Sequence, residues 1–160
     1  MKTRELTRMA LLTAIALTIF MVEAQIPPIV PLPGVKLGLA NTLTLLLVAK
    51  GDIKGAFAVN IARILLSGLL FASPSVLIYS LTAGLVSLTV MSLLSKLKQI
   101  GIIGFSVAGA VIHNITQLAV AFFMVGAGVL YYLPFLLISA VACGIVTAEV
   151  AKILLKNLKV

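Results

Sequence analysis

The sequence predicts an all-α integral membrane protein of six transmembrane helices, on three observations. Apolar residues make up 62% of the 160 residues and charged residues only 10%, against roughly 45–50% and about 25% in a soluble domain. Mean hydropathy is +1.26, and the apolar residues fall in runs long enough to cross a hydrocarbon core of about 30 Å. Basic residues cluster at alternate ends of those runs. Six short spans with tight loops use the whole chain, so a single transmembrane domain, 1–160, is expected.

The first span runs from Leu6 to about Ile26, behind a basic start of Lys2, Arg4 and Arg8. Val22-Glu23-Ala24 faintly resembles a cleavage site, but the reading adopted is an uncleaved span. Gln25 to Gly34 holds four prolines, which remove donors and restrict the residues before them, so a structured loop is expected there. Span two, Val35 to Ala49, is about 22 Å long at 1.5 Å per residue, short for the core. Span three covers about Ile53 to Phe71. Ser73-Pro74 marks a turn, and spans four, five and six cover about Ser75 to Leu94, Gly101 to Val125 and Leu130 to Leu155.

Short cytoplasmic loops carry the excess of Lys and Arg. With both termini inside, the inner segments hold Lys2, Arg4, Arg8, Lys50, Lys54, Lys96, Lys98, Lys152, Lys156 and Lys159, ten of the twelve basic residues. Lys36 lies in an outer loop and Arg63 within a span. The net charge of +8 therefore suits a membrane surface rather than nucleic acid.

Composition also limits the chemistry. Cys143 is the single cysteine, which excludes an internal disulfide and a cysteine-based metal site. The carboxylates are Glu5, Glu23, Asp52 and Glu149, and His113 is the one histidine. Hydrolytic and metal chemistry needs such groups in clusters, so no enzyme, metal or cofactor is expected. There is no phosphate-binding glycine loop, no histidine pair for haem and no aspartate cluster to hold magnesium on a diphosphate.

Polar residues inside a bilayer are costly and are functional candidates by default. Arg63 lies about mid-membrane in span three, with Asn60 one turn before it. His113, Asn114 and Gln117 share its depth in span five, Glu23 ends span one, and Lys36 and Asn41 begin span two. All fall in the outer half, which suggests a cavity open to, or gated from, the outside. Gly55-Ala-Phe-Ala-Val-Asn60-Ile-Ala-Arg63 matches Gly109-Ala-Val-Ile-His-Asn114-Ile-Thr-Gln117. Both polar pairs are i, i+3 and share a helix face, so two helices offer matching stripes to a common interior.

Two accounts of these residues compete. Asn, Gln and His serve as interhelical glue in membrane bundles, and Glu23 could neutralise Arg63. Alternatively Arg63, Lys36 and His113 receive an anionic group, for which a guanidinium suits carboxylate or phosphate. Ala10 and Ala14 stand one turn apart on span one, a spacing that lets helix backbones approach closely, either in a partner or within the protein itself. Cys143 and the Tyr131-Tyr132 pair look structural, the tyrosines as an interface belt.

Pro31-Leu-Pro-Gly-Val-Lys-Leu-Gly-Leu-Ala-Asn41, Asn60-Ile-Ala-Arg63 and His113-Asn-Ile-Thr-Gln117, with the six-span layout, resemble a bacterial family that carries two labels. These are heptaprenyl diphosphate synthase component I and Gx transporter. The family in turn is similar to the substrate-binding S components of energy-coupling factor (ECF) transporters. That resemblance implies an S-component-like six-helix bundle in the bacterial cytoplasmic membrane, which binds a small nutrient near the outer face. It implies a T component and two ATPases as partners, docked through an Ala-x-x-x-Ala face on helix one that Ala10 and Ala14 match. The expected ligand is a small molecule with an anionic group and a largely apolar or aromatic body. Arg63 would pair with its anion and Lys36 would guard the entrance. His113, Asn114, Gln117, Asn60 and Asn41 would hydrogen-bond it, with the proline-rich loop as part of a lid. The two labels conflict. Helical prenyl synthases use two aspartate-rich motifs, whereas this chain has only Asp52, so it is not expected to be such a catalytic subunit. The alternative is a non-catalytic accessory subunit of a membrane redox or prenyl-quinone biosynthesis assembly.

Overall fold

The computed structural model describes residues 3–25, 38–71 and 74–157. They form six α-helices: α1 (Thr3–Gln25), α2 (Asn41–Ala49), α3 (Ile53–Phe71), α4 (Pro74–Leu94), α5 (Ile102–Val125) and α6 (Leu133–Asn157), with a 3-10 segment, Ala127–Tyr132, between the last two. Lys36, Ser73 and residues 26–34 of the expected proline-rich loop lie outside the described residues. Five helices are long and apolar enough to cross a membrane: α1, α3, α4, α5, and α6 with the 3-10 turn before it. The chain is a multi-pass membrane protein.

The expectation for span two needs correction over its described part. α2 is nine residues long, about 14 Å of helix, and it is not among the five. Its seven consecutive residues Thr42–Val48 are all buried, which fits a helix enclosed by its neighbours rather than one facing lipid. Around it, α1 packs on α3, α3 on α4, α4 on α5 and α5 on α6, while α2 lies chiefly against α3 and α6. Large side chains such as Leu69, Phe123 and Ile138 point outward at 75%, 85% and 72% exposure, as a lipid-facing surface requires.

The turn after α2 has a definite chemistry. Gly51 donates to the Val48 carbonyl and Asp52 to that of Leu47, at 2.9 Å each, and Gly51 has φ +78. This is the Schellman stop, in which a left-handed glycine closes the last helical turn. Asp52 then starts α3, because its Oδ1 accepts from the Gly55 amide at 2.9 Å, an N-terminal cap. Its other oxygen lies 3.5 Å from Arg8, which ties the start of α1 to this corner.

α4, α5 and α6 are held by serines that bond across helices. Ser87 Oγ donates to the Gly109 carbonyl and Ser106 Oγ to the Gly144 carbonyl, both at 2.8 Å. The second contact needs a glycine, since a Cβ at 144 would stand 2.7 Å from the Val107 Cα. Backbone cannot yield as a side chain can, so Gly144→Val is expected to cost about 1–3 kcal/mol through overpacking. Thermal unfolding in detergent checks this against Gly128→Val, where nothing lies within 4 Å. Equal midpoints for the two variants would refute the close approach.

Candidate functional site: a polar cavity inside the bundle

A cavity of about 450 Å³ lies within the helices. Its walls combine apolar side chains such as Phe20, Leu45, Leu88, Met91 and Leu118 with a small set of polar ones, the usual make-up of a small-molecule site. Glu23, Asn41, Asn60, Arg63, His113, Asn114 and Gln117 all line it. The matched stripes of α3 and α5 therefore face one interior. Lys36 is outside the described residues.

Arg63 is the best-held group in the wall. It is 7% exposed. Its Nη2 donates to Asn41 Oδ1 at 3.0 Å and to Asn60 Oδ1 at 3.1 Å. Asn60 is one turn back on the same helix, and Asn41 comes from α2, so two separate elements orient the guanidinium. Gly84 lets α4 lie close, since a Cβ there would stand 3.1 Å from Asn60 Nδ2. Both Nη2 hydrogens are committed, while the buried Nε–H has no acceptor. Arginine carries five N–H donors, and the one on Nε remains for a further acceptor.

Glu23 is 6% exposed and accepts from the amide of Gly38. Gly38 has φ +74 and opens the turn that leads into α2, so the end of α1 is fastened to the start of α2. The ion pairs among the described residues are Arg8–Asp52 and Lys152–Glu149. Glu23 and Arg63 share the cavity wall without a direct ion pair, yet their charges lie near enough to attract each other.

The other predicted residues divide by role. Asn114 Nδ2 donates to the Leu136 carbonyl at 2.9 Å, so it joins α5 to α6 as well as lining the wall. The Ala83 carbonyl faces the His113 ring. Ala10 and Ala14 do not touch the cavity; both are exposed on α1, so they do not serve internal packing.

The cavity also takes in residues that carry no clear signal in the sequence. Tyr132 and Cys143, expected to be structural, line it, as do Tyr79 and the hydroxyls of Ser80, Ser139 and Thr147. Tyr131 keeps its outward place at 76% exposure. Ser139 and Thr147 donate to the backbone carbonyls of Leu136 and Cys143, so these hydroxyls are already satisfied. Thr44 also lines the cavity, and its buried Oγ1 has no partner.

No group of three or more metal-ligating side chains occurs among the described residues. No curated protein and no solved structure matches the chain. The family described as heptaprenyl diphosphate synthase component I matches it over residues 12–154, nearly the whole sequence, and the chain belongs to that family.

Proposed function

We propose that this chain is a substrate-binding membrane subunit, similar to the S components of ECF transporters, for uptake of a small, anionic and partly apolar nutrient or precursor. One observation carries the reading: Arg63 is buried in the wall of a ligand-sized cavity, oriented by Asn41 and Asn60, with its Nε–H unused. A buried cation whose donors are left over is expensive unless something completes the site. Mid-membrane ionisable groups commonly mark substrate paths.

The chain performs no chemistry in this reading. It is a single transmembrane domain in the bacterial cytoplasmic membrane, with α2 as a short sixth crossing and both termini cytoplasmic. Glu23, Lys36, Asn41, Asn60, His113, Asn114 and Gln117 share the binding site with Arg63. A T component and two ATPases supply the drive, docked on the exposed Ala10 and Ala14 face of α1.

The family's description favours a second reading, in which the chain is a non-catalytic accessory component of a prenyl diphosphate synthase or related membrane assembly. Gentle purification from the native membrane, with mass spectrometry of the small molecules and proteins that accompany the chain, separates the two. The first reading expects an anionic metabolite and the ECF partners. A stoichiometric synthase or redox subunit, with no metabolite, would replace it with the second.

A further inference from the structure

The cavity is closed at one end, and that closure is built wholly of described residues. Met91 is the last α4 residue to line it, Ser106 the first of α5, Leu45 the last of α2 and Thr147 the last of α6. All four helices continue past the lining: α4 to Leu94, α2 to Ala49, α6 to Asn157, and α5 starts earlier, at Ile102. There Leu45, Leu88 and Met91 join Val48, Val59 and Phe105 in the buried apolar core. At the opposite end the lining runs out to Val76, near the start of α4, and to Val129 and Tyr132 of the 3-10 segment. The cavity is therefore blind, with packed core as its floor.

The floor differs in chemistry from the rest of the wall. Ser87, Ser106 and Thr147 donate to the carbonyls of Gly109, Gly144 and Cys143, so these hydroxyls are spent on backbone. Thr44, whose Oγ1 has no partner, stands one turn after Asn41 on α2 and belongs with the polar group around Arg63. That group lies beside Gly84, which faces Asn60. From Gly84 to Met91 is two turns of α4, about 10 Å. A ligand with its anion at Arg63 gains by laying its apolar body along this stretch, against Leu45, Leu88 and Met91. A charge moved there would leave its partner behind.

Met91 sits across from Gly109: a Cβ at 109 would overlap the Met91 Cγ and Sδ. Methionine is unbranched and adapts to the space it is given, so the height of the floor follows the bulk at positions 91 and 109. We propose, resting on the binding reading above, that Met91, seated on Gly109, is the gauge of the site and sets the length of apolar body that a ligand held at Arg63 can carry. Less bulk at 91 deepens the cavity. A methyl group at 109 lifts the thioether into it. The two changes push the preferred length in opposite directions, which a mere loss of packing does not do.

The full chain in phosphatidylcholine nanodiscs is alkylated with N-ethylmaleimide at Cys143, its only cysteine and a residue of the cavity wall, and the rate is followed by intact mass. The probes are phenylacetate, 4-phenylbutyrate, 6-phenylhexanoate, 8-phenyloctanoate and 10-phenyldecanoate, which share a head group and a ring and differ in length. Each probe partitions into the bilayer equally for every variant, so the readout is the length that protects best. Met91→Ala is expected to move that length up, with several-fold better protection by the longer acids. Gly109→Ala is expected to move it down, and Arg63→Gln to abolish protection at every length. Each of the first two variants tests the gauge by itself, so one that fails to fold leaves the other to decide. An optimum that stays in place, or moves against these directions, while protection still needs Arg63, would overturn the gauge and leave the binding reading standing. Protection by no probe, or protection that survives Arg63→Gln, would overturn both.

Discussion

Arg63→Ala protein, purified beside the unaltered chain, is expected to carry none of the bound metabolite. The guanidinium is the one fixed positive charge among the described residues of the cavity wall. Truncating one partner of a buried, hydrogen-bonded charge pair costs about 2–5 kcal/mol, which at ~1.4 kcal/mol per decade weakens binding roughly thirtyfold to several thousandfold. Arg63→Lys is expected to fall between the two. Lysine keeps the charge but offers it as a point, and its three donors lack the fixed planar fork that holds Asn41 and Asn60 while facing the ligand. The competing account treats Arg63 as internal glue whose charge matters only to Glu23. It predicts that Glu23→Gln with Arg63→Met restores stability lost in either single variant. Glu23 is bonded to Gly38 and Arg63 to the two asparagines, so each single variant also loses contacts of its own and the double variant is expected to restore only part of the stability, through the attraction between the two charges. Thermal unfolding and retained metabolite, measured on all four proteins, test both points. A stable Arg63→Ala protein that still holds its metabolite would end the binding reading.

Much of the bundle was legible because the bilayer makes strong demands on sequence. A span must be long, apolar and bounded by charges or breakers, and α3, bounded by Asp52 and the Phe71 end of its apolar run, matches its expected limits residue for residue. α2 was harder. Thr42 to Val48 is apolar or small throughout, and a helix buried on every side has no polar face to give it a period. Its composition resembles that of a lipid-facing span, so its nine residues fall inside a longer expected one. The second half of the 3-10 segment, from Leu130, likewise falls inside the expected span six, since Leu-Tyr-Tyr does not separate it from the helix that follows.

The site divides along similar lines. Arg63, His113 and the amides were visible because each is rare inside a membrane, and shared depth placed them together. The hydroxyls were not, because serine and threonine are common in membrane helices and usually bond back to the backbone, as Thr147 and Ser139 do here. In sequence, Tyr132 pairs with Tyr131 as an interface belt. Both lie at the end of the 3-10 segment, where one ring is exposed and the other lines the cavity, and adjacent residues carry no sequence signal of that split. The held state of Arg63 was also illegible: Asn60 is its neighbour on the helix, but Asn41 meets it only because the Schellman turn at Gly51 folds α2 back along α3.

Ala14→Trp is expected to remove the partner proteins while leaving the fold and the bound metabolite intact. α1 buries only Thr13, Ala16 and Glu23 of its 23 residues, and Ala10 and Ala14 lie on its exposed side. On the same stretch, the Thr7 and Thr18 hydroxyls turn back to the carbonyls of Thr3 and Ala14 at 3.0 and 2.9 Å. The small residues Thr7, Ala10, Ala14 and Thr18 thus stand beside exposed Leu6 and Leu11, an apolar surface on which another helix can approach. A bulky side chain there meets none of the chain's own helices, and surface substitutions of this kind usually change stability by about 0.5 kcal/mol or less. Any loss of partners then reports on docking and not on unfolding. The measurement is the protein content of membrane extracts purified through a tag on each variant, with thermal unfolding as the control on the fold. T component and ATPases that accompany the unaltered chain but not Ala14→Trp would place the docking face on α1. If both variants bring the same partners down, α1 is not the docking surface. If the protein lost from Ala14→Trp is instead a synthase or redox subunit, the face belongs to the accessory role that the family's description suggests.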